Sequence, residues 1–207
     1  MMDFWTFRTL FGSAGCVTKR DFDASGRHFD KNSLTRWCAN GYLVKVRNGC
    51  YVFPEFLQNI DFQYFIANKM YGDSYVSLHS ALIYHGYLPA PIQLQVSCVS
   101  RLKTNEFRCP IGFFDFHRMK EDLIFGFEKL GNPPFEFAMA TPEKALLDLF
   151  YLSPEYYDTE EDMRKFALKE SLVFEQWDAL RMYDYLQLFG SRAMERRVSL
   201  FAKIYGI

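Results

Sequence analysis

An Asn-Gly dipeptide between two β-rich runs restricts the fold of this chain more than any other feature of its sequence. Residues 42–47 and 50–53 are rich in β-branched and aromatic side chains, and they flank Asn48 and Gly49. A two-residue hairpin turn of type I′ has positive φ at both central residues, and Asn-Gly adopts it with little strain. The sequence therefore predicts a tight β-hairpin over residues 42–53.

Three short helices are predicted before this hairpin, each from its own capping signal. Asp3 can cap the first helix. Thr18 has the spacing of a capping box with the residue three positions later, so a second helix should begin there. The third helix should begin after Asp30 and end at Asn40, which precedes a glycine. Three short helices followed directly by a hairpin is the order of a winged helix-turn-helix.

The predicted third helix has an apolar side and a polar side. Leu34, Trp37 and Cys38 would pack inward, whereas Ser33 and the other polar side chains would face outward. Amide, hydroxyl and guanidinium groups are the types that read base edges and phosphates in a major groove, and basic residues near a hairpin tip can reach a phosphate. The candidate DNA-binding residues are Lys19, Arg20, Lys31, Asn32, Ser33, Thr35, Arg36, Asn40, Lys45, Arg47 and Asn48.

Charge is distributed unevenly along the chain, although the net charge is only −1. Residues 1–60 contain eight Lys and Arg against five Asp and Glu. Residues 120–180 contain six against fourteen, and residues 181–207 contain five against two. A basic beginning, an acidic middle and a basic tail imply separate surfaces for separate partners.

The basic tail is a second candidate contact with nucleic acid. If residues 191–205 form one helix, Arg192, Arg196 and Lys203 align on one face, nearly opposite an apolar face. This stripe would either contact a second phosphate or form an ordinary solvated exterior. The sequence alone leaves both interpretations open.

Several classes of protein are disfavoured by what the sequence lacks. It has no GxSxG, HExxH or glycine-rich phosphate-binding motif, and its five cysteines form no CxxC pair. We therefore expect no catalytic residue, no cofactor and no metal site. No apolar stretch approaches the roughly 20 residues that span a bilayer, and no secretion signal is recognisable, which predicts a cytoplasmic protein that does not enter a membrane.

The chain as a whole is predicted to be α+β, with two domains. Residues 1–56 would form the winged helix and residues 60–207 a larger mixed α/β domain that folds independently, with a linker over residues 54–59. Helices are expected over residues 61–71 and 77–85, and mainly helical structure from residue 160 onward. Strands are expected over residues 93–99, 111–116 and 135–139.

One helix in the second domain has an especially clear start. Thr141 can cap it, Pro142 occupies the first helical position and Glu143 lies in the first turn. The Thr-Pro-Glu-Lys stretch could be mistaken for an active site. We interpret it as a capped helix entry in which Lys144 is solvated or ion-paired.

Three stretches of the chain resemble the AbiEi-like antitoxins, the DNA-binding regulators of type IV toxin–antitoxin (abortive infection) systems. The first runs from Leu34 to Phe53, an apolar helix followed by NGYLVKVRNGCYVF. The second is SLHSALIYHGYLP, at residues 77–89, and the third is ATPEKALLDLFYL, at residues 140–152. They occur in the order of that family and are spread over most of the chain.

The resemblance implies a repressor that binds double-stranded DNA at its own promoter. It also implies that the protein counteracts a nucleotidyltransferase-like toxin, which it need not touch. An alternative from a different class is a protein-interaction adaptor whose winged helix docks a partner without meeting DNA. The two hypotheses differ in salt dependence, because phosphate contacts weaken steeply as ionic strength rises.

Overall fold

The computed structural model describes residues 2–26, 30–90, 92, 95–166, 168 and 177–206, and it is a mixed α+β structure. Its first part contains α1 (Phe4–Phe11), β1 (Cys16–Thr18), α2 (Lys19–Ala24), α3 (Lys31–Ala39), β2 (Val44–Arg47) and β3 (Cys50–Val52). Its second part contains α4 (Ile60–Met70), β4 (Ser74–Val76), α5 (Leu78–Tyr84), β5 (Gln95–Ser100), β6 (Asn105–Cys109), β7 (Gly112–Arg118), β8 (Phe127–Leu130), β9 (Phe137–Ala140), α6 (Pro142–Leu152), α7 (Glu160–Lys165), α8 (Ala179–Phe189) and α9 (Arg192–Tyr205). We call the described residues up to 56 the head and those from 60 onward the body.

The capping residues predicted in the head are confirmed. Asp3 accepts a hydrogen bond from the Thr6 amide, and the Asp30 side chain accepts one from the amide two residues later. Thr18 forms both bonds of the predicted capping box. The predicted hairpin is also present: Gly49 has a φ of 75° in its turn, Asn48 does not have a positive φ, and the strand pairing shifts register between Lys45 and Arg47. Local hydrogen bonding near each end therefore sets the limits of these elements.

One strand of the head was not predicted. β1 pairs with β3, and β3 pairs with β2, to form a three-stranded antiparallel sheet in the order β1-β3-β2. Three residues are too few to show an alternating pattern, so this strand is recognisable only from its partner. The three helices pack on one face of this sheet around a core of Phe7, Val17, Phe22, Leu34, Trp37, Leu43 and Phe53.

The body is built on a six-stranded mixed sheet in the order β6-β7-β5-β4-β9-β8. The strands predicted over residues 93–99, 111–116 and 135–139 correspond to β5, β7 and β9, although residues 93 and 94 lie outside the described residues. The sequence analysis missed β4, β6 and β8: β4 has three residues and pairs with the distant strands β5 and β9, whereas β6 and β8 each pair with the next strand along the chain. The predicted helices over residues 61–71 and 77–85 are present as α4 and α5.

Head and body share one apolar core through the second face of the head sheet. Cys16, Val46, Cys50 and Val52 belong to the same buried cluster as the body residues. The predicted linker includes a short 3₁₀ helix, and its Phe56 ring lies 5.4 Å from Phe62 and 5.1 Å from Phe135. A fragment of residues 60–207 would leave this apolar surface open to water, which argues against its predicted independence.

Gly15 marks the tightest approach of head to body. Its φ is 66°, in the left-handed region, and it immediately precedes β1. A Cβ built on this residue would lie 2.6 Å from a carbon of the Phe62 ring and 2.7 Å from one of the Phe135 ring. Only glycine satisfies both the backbone conformation and this close packing.

A buried polar network holds α6 against the body sheet. Lys144 and Asp148 form an ion pair with side chains fully excluded from solvent. The Tyr75 and Ser77 hydroxyls donate to Asp148 Oδ2 at 2.9 and 2.8 Å, and Lys144 Nζ donates to the Tyr75 hydroxyl at 3.0 Å. The sequence analysis predicted that Lys144 is either solvated or ion-paired. In the structure it is ion-paired and is not solvated.

Burial governs the electrostatics of this pair. Desolvation raises the pKa of Asp148 and lowers the pKa of Lys144, while the attraction between the two groups acts in the opposite direction on each. The Lys144 ammonium also lies 4.7 Å from the centre of the Phe125 ring. No water reaches these groups, so we interpret them as structural.

Replacement of Gly15 by alanine should destabilise the protein by about 2–5 kcal/mol. The left-handed backbone costs about 1–2 kcal/mol for a residue with a Cβ, and overpacking against the two rings adds about 1–3 kcal/mol. Gly41→Ala is the matched control, because Gly41 has a φ of 73° but open space around its Cβ position. Urea unfolding of both variants measures the difference, and equal losses would show that the contact with the rings is unimportant.

Asp148→Leu should cost about 3–5 kcal/mol, because it leaves the Lys144 charge buried and unpaired. The double variant Lys144→Met/Asp148→Leu should be more stable than the single variant, since it removes both charges from the core. Lys165→Met, which breaks an exposed ion pair with Glu161, is the control and should leave the free energy of unfolding nearly unchanged. A double variant as unstable as Asp148→Leu would contradict this account.

Candidate nucleic-acid interface

Helix α3 presents most, but not all, of the predicted polar side chains to solvent. Its inner side is anchored by Leu34 and Trp37, which are 6% and 3% exposed. The prediction that Ser33 faces outward is wrong, because Ser33 is only 5% exposed. It directly precedes Leu34 on the inner side of the helix, and its small side chain fits at the edge of the head core. Cys38, predicted to point inward, is half-buried.

The outer side of α3 carries cations and amides and no carboxylate. Asn32, Arg36 and Asn40 follow one another at intervals of four residues, so they form one row along the helix. All of them are exposed, as are Lys31 and Thr35 on the neighbouring row. Arg36 forms no ion pair with any described residue, which leaves its planar fork of donors available to a ligand.

The start of α2 adjoins the turn of the hairpin. Lys19 and Arg20 are exposed, and the Lys19 amide donates to the Gly49 carbonyl at 2.7 Å. A Cβ on Gly49 would lie 3.3 Å from the Lys19 Cβ, so the two backbones are in close contact. Asn48, at the tip of the turn, is exposed beside them. These residues therefore form one continuous polar surface.

Lys45 links the hairpin to the end of α3. Its side chain is exposed on β2, and its backbone amide lies within hydrogen-bonding reach of the Cys38 thiol. Partial burial raises the pKa of that thiol, while the nearby Lys45 charge and amide act in the opposite direction. The last turn of α3 and the middle of β2 are thus close neighbours.

Arg47 takes a different position from the one predicted. It is half-buried, with its guanidinium carbon 5.5 Å from the centre of the Phe107 ring on β6. Its Nε atom is buried and has no hydrogen-bond partner among the described residues. Arg47 therefore points from the hairpin toward the body, and its environment could not be read from the local sequence.

The tail forms the predicted helix, α9, but its cations are partly neutralised. Arg192, Arg196 and Lys203 are exposed, as expected for a basic stripe. Arg196 forms an ion pair with Asp158 at 2.7 Å, and Lys203 lies 3.5 Å from a carboxylate oxygen of Glu160. The acidic middle of the chain thus provides the partners of the basic tail, which favours the solvated-exterior interpretation.

Arg197 is a structural cation that the sequence analysis did not single out. It is 8% exposed, donates to Asp158 at 2.8 Å and donates to the Phe150 carbonyl at 3.2 Å. Hydrogen bonds from Arg197 and then Arg196 lower the pKa of Asp158. The position of Arg197 beside buried residues of α9 was the available signal, because a cation on an apolar face needs a partner.

Two histidines of the body lie beside oxygen atoms of the protein. His85 Nε2 lies 2.9 Å from the Ala140 carbonyl oxygen, and His117 Nε2 lies 2.6 Å from an Asp115 oxygen. Within the described ranges, no three His, Cys, Asp or Glu side chains are grouped to hold a metal ion. None of the helices in those ranges has the length and apolar character needed to cross a membrane.

Comparisons with known proteins show a likeness of overall shape and no relationship in sequence. No protein-family model matches the chain, and a search of curated proteins finds no match. Among solved structures, the chain is similar to the RV2827C protein from Mycobacterium tuberculosis, with a TM-score of 0.49 and 18% sequence identity. The match covers 97% of this chain and 77% of that chain. This degree of similarity carries no information about function.

Proposed function

We propose that the head is a winged helix-turn-helix that binds duplex DNA. The order of its elements, α1-β1-α2-α3-β2-β3, and the antiparallel sheet order β1-β3-β2 support this proposal. In it, α3 is the recognition helix and the β2–β3 hairpin is the wing. The observation that carries the proposal is the outer side of α3, where cations and amides are exposed without any carboxylate while the inner side is anchored in the head core.

The chemistry of that surface suits a major groove. Arg36 can bond two acceptors of a guanine at once, and Asn32 or Asn40 can do the same for an adenine. Lys31, at the start of the helix, is placed for a phosphate. A helix with its side chains is roughly 10–12 Å across, so the roughly 12 Å width of the major groove can admit α3.

We further propose that the protein is a transcriptional regulator that represses its own promoter as the antitoxin of a type IV pair. Its support is the sequence resemblance, and two of the resembling stretches meet at the centre of the body. Ser77 begins one of them and Asp148 lies in the other, and their side chains are joined at 2.8 Å. The partner in this hypothesis is a nucleotidyltransferase-like toxin, which need not be contacted.

A protein-docking function is the second candidate, and exposed aromatic residues favour it. Trp5 on α1 is 73% exposed and Tyr42, between α3 and β2, is 48% exposed. Large exposed aromatic side chains are typical of protein interfaces. An apolar interface would respond little to ionic strength, whereas a DNA complex would weaken steeply.

Arg36→Ala should weaken binding to duplex DNA from the region upstream of the gene by about 1–3 kcal/mol, or roughly 5- to 150-fold. The loss should be much smaller for a scrambled duplex, because base-edge contacts carry the specificity. Fluorescence anisotropy with both duplexes measures it. Arg164→Ala, on the exposed face of α7, is the control, and normal specific binding by Arg36→Ala would refute the assignment of α3.

Lys45→Ala should weaken binding to all duplexes alike. A lysine on the wing that contacts a phosphate releases one counterion, so its loss should lower the slope of log K against log salt by about one unit. Lys129→Ala, another exposed strand lysine, should leave the slope unchanged. A change in sequence preference without a change in slope would mean that Lys45 reads bases instead.

A further inference from the structure

A groove separates the outer edges of the two sheets. β2 is an edge strand of the head sheet, and β6 is an edge strand of the body sheet. The space between them has a volume of about 450 Å³ and is open to solvent. Its walls come from residues 45–48 of the wing and residues 106–110 of the body. Head and body therefore contribute jointly to a single concave surface.

The groove is basic, and its cations are not neutralised from within the protein. Lys45, Arg47 and Arg108 line it together with one carboxylate, that of Glu106. None of the three cations forms an ion pair with a described residue. This contrasts with the tail, where Arg196 and other cations face carboxylates. An anionic ligand would supply the missing partner.

Aromatic rings hold both arginines in place. The Arg108 guanidinium carbon lies 4.4 Å from the centre of the Phe113 ring, and that of Arg47 lies 5.5 Å from the centre of the Phe107 ring. Contact with an aromatic face restrains a guanidinium and leaves its hydrogen-bonding edge free. The Nε atom of Arg47 is itself buried and has no partner among the described residues, so a ligand in the groove would have to accept from the other N–H groups of that guanidinium. Two restrained guanidinium groups beside a lysine ammonium are well suited to bind the oxygens of a phosphate.

We propose that this groove binds a backbone phosphate of duplex DNA and so extends the DNA interface from the wing onto the body. The inference rests on the proposed function of the head. The groove adjoins the recognition surface, because the Lys45 amide lies beside Cys38 of α3 and the Gly49 carbonyl accepts from Lys19 of α2. Arg108 is then a DNA contact supplied by the body.

Such a contact would position the recognition helix. A phosphate contact carries no sequence information but fixes the register of a protein on the duplex. The groove joins a wing strand to a body strand, and the head sheet packs on the body core, so Arg108 and α3 are held in a defined relation. The body would thereby restrict the angle at which α3 enters the major groove.

The test compares Arg108→Gln with Arg118→Gln in the full chain. Both arginines are exposed on the β6–β7 pair, but Arg108 is near its turn and Arg118 at the far end of β7. The two positions are separated by roughly 17 Å along the strands. Arg108→Gln should lower the salt slope by about one unit and weaken binding about 8-fold at 0.1 M salt, for both the upstream and the scrambled duplex. Arg118→Gln should match the wild type.

Arg108→Lys keeps the positive charge at this position. It therefore distinguishes an effect of the lost charge on DNA binding from an effect of the substitution on folding. It should retain the salt slope of the wild type, and urea unfolding should show that Arg108→Gln is still folded. An unchanged slope for Arg108→Gln, in a protein whose specific binding is lost on Arg36→Ala, would overturn this inference and leave the proposed function intact. Equal effects of Arg108→Gln and Arg118→Gln would also overturn it, since they would indicate only general attraction. A wild-type protein that binds no duplex would refute the proposed function itself.

Discussion

Burial of the head sheet on both faces is the constraint on which the rest of the structure depends. Successive side chains of a strand point to opposite faces, so Val17 enters the head core while Cys16 enters the core shared with the body. Gly15 allows the Phe62 and Phe135 rings to approach this strand closely. Helix α3 therefore packs on a sheet that cannot shift without disturbing the body, which makes the orientation of α3 a property of the whole protein.

The structure shows which charges of the uneven sequence pattern neutralise one another in ion pairs and which do not. Lys144 and Asp148 compensate each other inside the body, where each alone would be costly. Arg196 and Arg197 are compensated by Asp158 on the surface. Cations on α3, the β2–β3 hairpin and β6 have no ion-pair partner among the described residues, and neither do exposed cations elsewhere, such as Arg118 and Arg192. A net charge close to zero is therefore compatible with exposed cations that can attract an anionic ligand.

Sequence reasoning was most successful where structure is determined locally. The starts of α1, α2 and α3 depend on Asp3, Thr18 and Asp30, whose side chains bond to amides two or three residues away. It failed for Ser33, whose burial depends on the packing of the head core. It also failed for Arg47, whose neighbour Phe107 lies sixty positions further along the chain. Arg108 is similarly far from the hairpin in sequence, so local patterns did not identify it as part of the candidate groove.

By itself, the sequence determined the α+β class, the capped helices, the hairpin at Asn48 and Gly49, and the polar side of α3, because short-range hydrogen bonds and periodicity encode these features. Only the tertiary structure decided that the head sheet has two buried faces, that Lys144 is excluded from water, and that the β2–β3 hairpin and β6 together enclose a basic groove. These features arise from contacts between distant segments. Local patterns do not specify which distant segments will contact one another, because those contacts depend on the packing of the complete core.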